Sequence, residues 1–255
     1  MLRNLKTLEK FVVSASDGDI GHVVNFFVDD QQWVVRHLVV ETGGLLDRQR
    51  VMISPISFRN VDWSMRRFHV ALTKGQILKS PNINLDKPVS RQHETEYYAY
   101  YGYPSYWTYT GPWGTGAFPS LLAAAGRTHE VTSKTGRAPA DIHLRSANEL
   151  CGYHIQGTDD AIGHIADFIF DDETWQVRYF VIDTRNWWVG KHVLFVPQWV
   201  TGISWEERKV HVGVSRQMIK YSPAWNAIAD LTRDYEARLF DYYDKPGYWV
   251  ANPSR

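Results

Sequence analysis

The chain has 255 residues, enough for one large domain or two small ones. Hydrophobic residues make up 44% and charged residues 22%, which excludes a mainly disordered chain. Its 28 basic and 28 acidic side chains cancel, so net charge gives no drive toward nucleic acid or anionic lipid, and the single cysteine, Cys151, excludes a disulfide framework or a cysteine-rich zinc module.

No run approaches the ~18 apolar residues of a membrane span. The opening stretch, Met1 to Lys10, lacks the apolar segment of a secretory signal. A cytoplasmic location is therefore expected, with contact to a membrane complex only at its periphery.

In chain order, Ile20–Val28 and Trp33–Val40 are rich in β-branched and aromatic residues and flank the polar stretch 29–32. That pattern predicts a β-hairpin. Val51–Ser54 predicts a short strand ended by Pro55, where a ladder donor is missing. Phe58–Trp63 and Phe68–Leu72 predict a second hairpin. The segment 73–79 then predicts a single helical turn capped by Thr73, and Ser90–Tyr101 a longer helix capped by Ser90. Glu94 stands four residues from Ser90, which misses the three-residue spacing of a capping box. An aromatic cluster, Tyr103 to Trp107, follows and must pack back on something.

The interval 108–147 carries several glycines and prolines around a short alanine run and reads as linker, with Trp113 or Phe118 available to dock. Beyond it the same elements recur. Strands are predicted at Ile162–Phe170, Trp175–Ile182, Val193–Val196, Val200–Trp205 and Val210–Val214. Helical segments are predicted at 215–220 and Thr232–Tyr243, opened by Ser215 and Thr232.

The recurrence is a repeat. Residues 8–107 align with 150–249 without a gap, an offset of 142, with 30 identities in 100 positions. Unrelated sequences would share roughly 6, so the chain reads as a duplication whose copies are each long enough to bury a core. Residues 1–107 carry a net charge of +2, the linker +2 and residues 148–255 −4.

The pattern Ile-Gly-His-x-x-x-Phe-x-x-Asp-Asp, then Trp-x-Val-Arg, then Val-x-x-Thr, resembles the PRC-barrel family. The second copy is the closer match, through Val181 to Pro197, and the first departs at Gly43 to Gln49. The barrel resemblance covers about 8–72 and 150–214. It implies a mainly β fold: two tandem small antiparallel PRC-barrel-like β-barrels, each followed by a short C-terminal helical tail. The expected domains are 1–107, the linker 108–147 and 148–255, packed as a pseudo-two-fold pair in a monomer. The family includes the cytoplasmic domain of the photosynthetic reaction-centre H subunit and stand-alone bacterial members. It is associated with protein–protein contact rather than catalysis, and fold alone does not settle function.

Candidate chemistry is sparse. His22 and His164 recur at equivalent positions, as do His69 and His211. Recurring imidazoles are candidates for a ligand, metal or proton relay. No metal-type histidine spacing accompanies them, so a structural or exposed histidine is the plainer reading, and no metal or other cofactor is expected. Asp29-Asp30 and Asp171-Asp172 sit at hairpin tips, where aspartate stabilises turns; acid–base work would need one in an apolar pocket. Gly21 and Gly163 read as sites of a bulge or close backbone approach. No nucleophile elbow or phosphate cradle occurs, so no catalytic residue is expected.

Trp187 and Trp188 replace Leu45 and Leu46 at a predicted hairpin tip. Neighbouring strand side chains point to opposite faces, so at least one would be exposed as an anchor for a protein partner. The expected function is a non-enzymatic protein-binding or scaffold module. The alternative is a small-ligand or metal- or proton-handling protein associated with a membrane or photosynthetic electron-transfer complex.

Overall fold

A computed structural model describes residues 1–43, 48–81, 89–108, 111–114, 116–125, 142–184 and 192–250. The strands, in chain order, are β1 (Leu2–Asn4), β2 (Val12–Ala15), β3 (Gly18–Asp29), β4 (Val34–Thr42), β5 (Gln49–Ile53), β6 (Phe58–Asp62), β7 (Arg67–Val70), β8 (Val89–Ser90), β9 (Ile142–Ser146), β10 (His154–Gln156), β11 (Ala161–Asp171), β12 (Val177–Asp183), β13 (His192–Phe195), β14 (Val200–Ser204), β15 (Lys209–Val212) and β16 (Ala224–Trp225). The helices are α1 (Lys74–Leu78), α2 (Arg91–Tyr101), α3 (Pro119–Ala125), α4 (Ala147–Leu150), α5 (Arg216–Tyr221) and α6 (Arg233–Tyr242).

Two compact units share the chain. The first comprises Met1, Leu5–Glu149 and Asp171–Val177; the second comprises Leu2–Asn4, Leu150–Phe170 and Arg178–Arg255. The sheet of the first unit runs β5-β4-β3-β2-β7-β6, with β9 also on β3 and β8 on β9. The other sheet runs β14-β15-β10-β11-β12-β13-β16, with β1 on β11. Both are mixed, because β2 pairs parallel with β7, and β10 parallel with β15.

Neither sheet closes into a barrel among the described residues; each is an open row, ending at β5 and β6 in one and at β14 and β16 in the other. This corrects the expected closed, antiparallel barrels. Pro55 and Pro197 lack the amide proton that would extend the ladder, and each opens a 3-10 turn, Pro55–Ser57 and Pro197–Trp199. The chain bends there instead of continuing the edge.

In both sheets the hairpins form where β-branched and aromatic runs flank a polar turn. β3 and β4 pair antiparallel from Gly21–Thr42 to Asp29–Val34. Trp33 (φ 55°) and Trp175 (φ 60°) take the left-handed conformation that brings each chain out of its turn. Arg66 (φ 52°) and Arg208 (φ 54°) do the same after β6 and β14, and Lys10 (φ 69°) and Gly152 (φ 96°) before β2 and β10. Each of these pairs is 142 residues apart.

Gly21 and Gly163 are sites of close approach, as the sequence predicts. A Cβ at Gly21 would lie 2.0 Å from the Glu41 carbonyl oxygen, and one at Gly163 2.3 Å from that of Asp183.

Short helices start where hydroxyl caps predict. Thr73 accepts from the Gln76 amide and Gln76 returns the bond, a capping box at α1. Ser215 caps α5 and Thr232 caps α6 through the Met218 and Tyr235 amides. Ser90 precedes α2 without capping it through its side chain. Asp17 and Asp159 accept from the first amides of α1 and α5, at Lys74 and Arg216.

α2 docks on the edge of the first sheet. The Tyr97 hydroxyl accepts from the Ser54 amide and donates to the Met52 carbonyl. That covers the face of β4 that carries His37, whose ring lies 4.9 Å from Tyr97. β4 is consequently buried along nearly its whole length. In the second unit α6 lies over β13, with Phe195 against Tyr243 at 5.9 Å and Trp199 against Phe240 at 5.2 Å.

Much of 108–147, read as linker from its composition, is ordered into the first unit. Trp113 is fully buried and donates its indole N–H to the Thr174 carbonyl at 2.7 Å. β9 adds an antiparallel strand to β3, from Phe27–Ser146 to Asp29–Leu144. Phe118, by contrast, is 39% exposed. Residues 126–141 lie outside the described residues.

Candidate functional site

The polar chemistry of the first unit gathers under α2. Arg91 and Glu94, one turn apart on that helix, form an ion pair at 3.0 Å. Glu94 also receives the Tyr106 hydroxyl at 2.8 Å and lies 2.8 Å from His143 Nε2 on β9. Glu94 and His143 are 0% exposed and Tyr106 is 1% exposed. Burial works against the imidazolium, but the hydrogen bond and charge of Glu94 outweigh it and hold His143 above its ordinary pKa.

Beside this cluster stands a second buried pair. Arg36 donates through Nε (3.2 Å) and Nη2 (2.9 Å) to the Asp29 carboxylate. It also reaches Gln32 Oε1 and the Pro112 carbonyl, and its guanidinium stacks 3.5 Å from the centre of the Tyr106 ring. The other Asp29 oxygen accepts from the Gln31 and Gln32 amides, both at 3.0 Å. Burial opposes both charges, yet their mutual attraction holds Asp29 below the usual carboxylate range and keeps Arg36 protonated. Such a pair is tolerable in an apolar interior only because every charge has partners.

Asp30 differs from its neighbour. Burial pushes its pKa up to about 6, against the opposing hydrogen bond from Arg145 at 3.2 Å.

The second unit builds a related cage. Arg233 pairs with Glu236 at 2.9 Å, and Glu236 receives the hydroxyls of Tyr179 (2.7 Å) and Tyr248 (2.8 Å). Arg178 lies over the Tyr248 ring at 4.4 Å, and Arg233 over Trp249 at 4.2 Å. Burial and the Glu236 carboxylate both push the Tyr179 hydroxyl upward in pKa.

Sequence reasoning missed both cages, although their signal was present. Arg36, Arg91, Glu94, Tyr106 and Trp107 recur as Arg178, Arg233, Glu236, Tyr248 and Trp249. By spacing Glu94 reads only as a misplaced capping residue; it and Glu236 are buried counter-ions that tie each helix to the aromatic segment after it. Asp29 and Asp171 do the turn work expected of them, Asp171 through the Glu173 and Thr174 amides.

The remaining sequence candidates are dispersed. His22 is exposed on β3, opposite Val12 and Glu41. His164 is half-buried on β11, opposite His154. Among the described residues no group of three or more His, Cys, Asp or Glu side chains converges as a metal site would require. Trp187 and Trp188 lie outside the described residues. Cys151 places its thiol 3.5 Å from the Ala166 carbonyl.

The open surface of the first unit has a different character. A groove of about 310 Å³ is lined by Pro55, Phe58, Phe118, Pro119, Glu173 and Trp175, among others. Aromatic and proline side chains line it together with the acidic Asp172 and Glu173. Phe58 stacks on Phe68 at 5.0 Å and meets Trp175 edge-on at 5.3 Å, which fixes its floor.

A protein-family model matches part of this chain. It is the PRC-barrel domain, and it covers residues 143–218. The PRC-barrel match runs from β9 through α5 and includes the hairpin of β11 and β12, both repeated aspartates at its tip, and Arg178. No curated protein matches the chain. No helix among the described residues is long and apolar enough to cross a membrane.

Proposed function

We propose that this protein is a non-enzymatic binding or scaffold module built from two copies of a PRC-barrel-like unit. The observation that carries this reading is the contrast between its polar interior and its open surface. The buried acid–base cluster of the first unit, Glu94, His143 and Tyr106, is sealed from solvent and holds helix to sheet. The open groove presents Phe58 and Phe118, and aromatic side chains are enriched at surfaces that capture a partner.

The repeat supports the two-copy reading. The same strand order, β6-β7-β2-β3-β4-β5 and β14-β15-β10-β11-β12-β13, appears in both sheets. The left-handed residues recur at the same offset, and so do the Arg, Glu, Tyr and Trp of the cages. The domain-family match lies on the second copy, as the closeness of its motif predicts. A kinship with the reaction-centre H subunit, a bacterial and cytoplasmic setting, and a monomeric state belong to the same proposal. They rest on sequence resemblance.

Trp187 and Trp188 remain the proposed anchors, with an unidentified protein as partner. The test is capture from the native cell, in soluble and detergent-solubilised fractions, followed by affinity measurement with the purified partner. Trp187→Ala with Trp188→Ala is expected to weaken binding by more than ~2 kcal/mol. Unchanged affinity in the folded double variant would move the site elsewhere, and the absence of any stoichiometric partner would overturn the binding-module reading.

A further inference from the structure

The register of one strand pair brings together two histidines that the sequence keeps ten residues apart. His154 on β10 stands directly opposite His164 on β11 in the antiparallel ladder. His154 donates its main-chain N–H to the Arg208 carbonyl at 2.9 Å, on the β15 side. In a strand, N–H and C=O of one residue point the same way, so the main-chain groups of His154 face away from β11. The His154–His164 pair is therefore of the narrow, non-hydrogen-bonded kind, in which opposed side chains come closest. In such pairs the Cβ atoms lie about 4.5–5.5 Å apart on one face of the sheet.

Both side chains lie on the outward face. His154 is exposed and His164 half-buried, while the alternating neighbours Ile155 and Ile165 point into the core. Neither imidazole makes a hydrogen bond or ion pair with the protein among the described residues. The neighbour on the other flank of His154 is Lys209, whose ammonium is drawn to Glu207 at 3.0 Å.

We propose that His154 and His164 form a two-imidazole binding site for a divalent transition-metal ion of the zinc, copper and nickel class. Imidazole nitrogen suits these ions, and a zinc–nitrogen bond of about 2.0–2.1 Å is short enough for one ion to bridge two cross-strand rings. No third protein ligand converges there among the described residues. The pair is thus a bidentate chelate whose other coordination positions are left to water or an incoming ligand. The site is peculiar to the second unit. The equivalent of His164 in the first is His22, and Val12 rather than a histidine stands opposite it.

This inference is independent of the proposed partner-binding role. The test uses the full chain without a histidine tag, titrated calorimetrically with zinc chloride and with cupric chloride. One equivalent of ion is expected to bind and to raise the unfolding temperature, since only the folded chain presents the pair. His154→Ala and His164→Ala are each expected to lower affinity at least ~10-fold. His22→Ala and His211→Ala are expected to leave it unchanged. Because the paired rings sit on the outward face, the variants should keep the wild-type circular dichroism. Absence of binding by the wild type would overturn the proposal. So would unchanged affinity in either His154→Ala or His164→Ala, or an equal loss in His22→Ala.

Discussion

Glu94 and Glu236 occupy equivalent positions 142 residues apart, yet they are neutralised differently. Glu236 takes two tyrosine hydroxyls and an arginine, Arg233, whose side chain is 55% exposed. Glu94 takes one tyrosine, a less exposed arginine, Arg91, and the imidazole of His143. The difference traces to a single substitution and a single added strand. Tyr179 on β12 supplies a hydroxyl to Glu236, but its counterpart on β4 is His37. In the first unit β9 brings in His143 to fill that role. His37 is then left buried with neither ring nitrogen bonded among the described residues. The same lock therefore has two solutions, and the second strands a polar group in the core.

The largest effect should come from opening the locks. Glu94→Ala would leave Arg91 and His143 without their counter-ion in a sealed site, at a cost of about 3–5 kcal/mol. Glu236→Ala should cost less, about 1–3 kcal/mol, because Arg233 already reaches water and the main loss is to two hydroxyls. Urea midpoints of the two variants measure the difference. Equal losses would mean that exposure of the arginine does not set the strength of the lock.

A pair of substitutions at equivalent positions sharpens the comparison from the other side. Gly21→Ala and Gly163→Ala each drive a methyl group into a main-chain carbonyl, at a cost of about 1–3 kcal/mol, and Gly163→Ala should cost the more because its φ of 157° disfavours any side chain. Equal losses in denaturation would show that the carbonyl clash, and not the backbone angle, sets the cost.

The smallest expected change is a gain. His37→Leu removes an unsatisfied buried imidazole and should stabilise the protein by roughly 1 kcal/mol at pH 7. It should also change the acid response. Burial, aided by the charges of Arg36 and His143, pushes the His37 pKa down to about 3. The unfolded chain takes up that proton near the ordinary value of about 6.5. From pH 6.5 toward 3 the unfolded state therefore binds more protons, and His37 erodes stability as pH falls. Urea midpoints measured across that window should fall less steeply in His37→Leu. An unchanged slope would show that other groups carry the acid sensitivity.

The sequence made some of this legible and hid the rest for identifiable reasons. The hairpins of β3–β4 and β11–β12 could be read because runs of β-branched and aromatic residues flank short polar turns. Thr73, Ser215 and Thr232 could be read because a hydroxyl cap acts locally. β2 and β10 were missed because three or four residues carry no usable period, and their parallel partners lie more than fifty residues away. β9 was hidden in a segment that looked like linker by composition. The cages escaped because arginine and glutamate are ordinarily surface residues. Only their recurrence beside Tyr-Trp in both copies could have marked Arg91 and Glu94 as interior groups.

The way the chain is divided between its units bears on its birth. The first unit is not finished when its own repeat has been made. It still needs β9 against β3 and the segment Asp171–Val177. At roughly 5–20 residues per second of synthesis, the interval from residue 107 to residue 177 lasts on the order of 4–14 s. Until residue 146 is made the nascent first sheet lacks β9, and until residue 174 is made the Trp113 indole has no Thr174 carbonyl to meet. A ribosome carrying this protein thus holds a sheet in which the Phe27–Asp29 end of β3 still awaits β9 for seconds, and a gene cut after the first repeat would encode that unfinished state permanently.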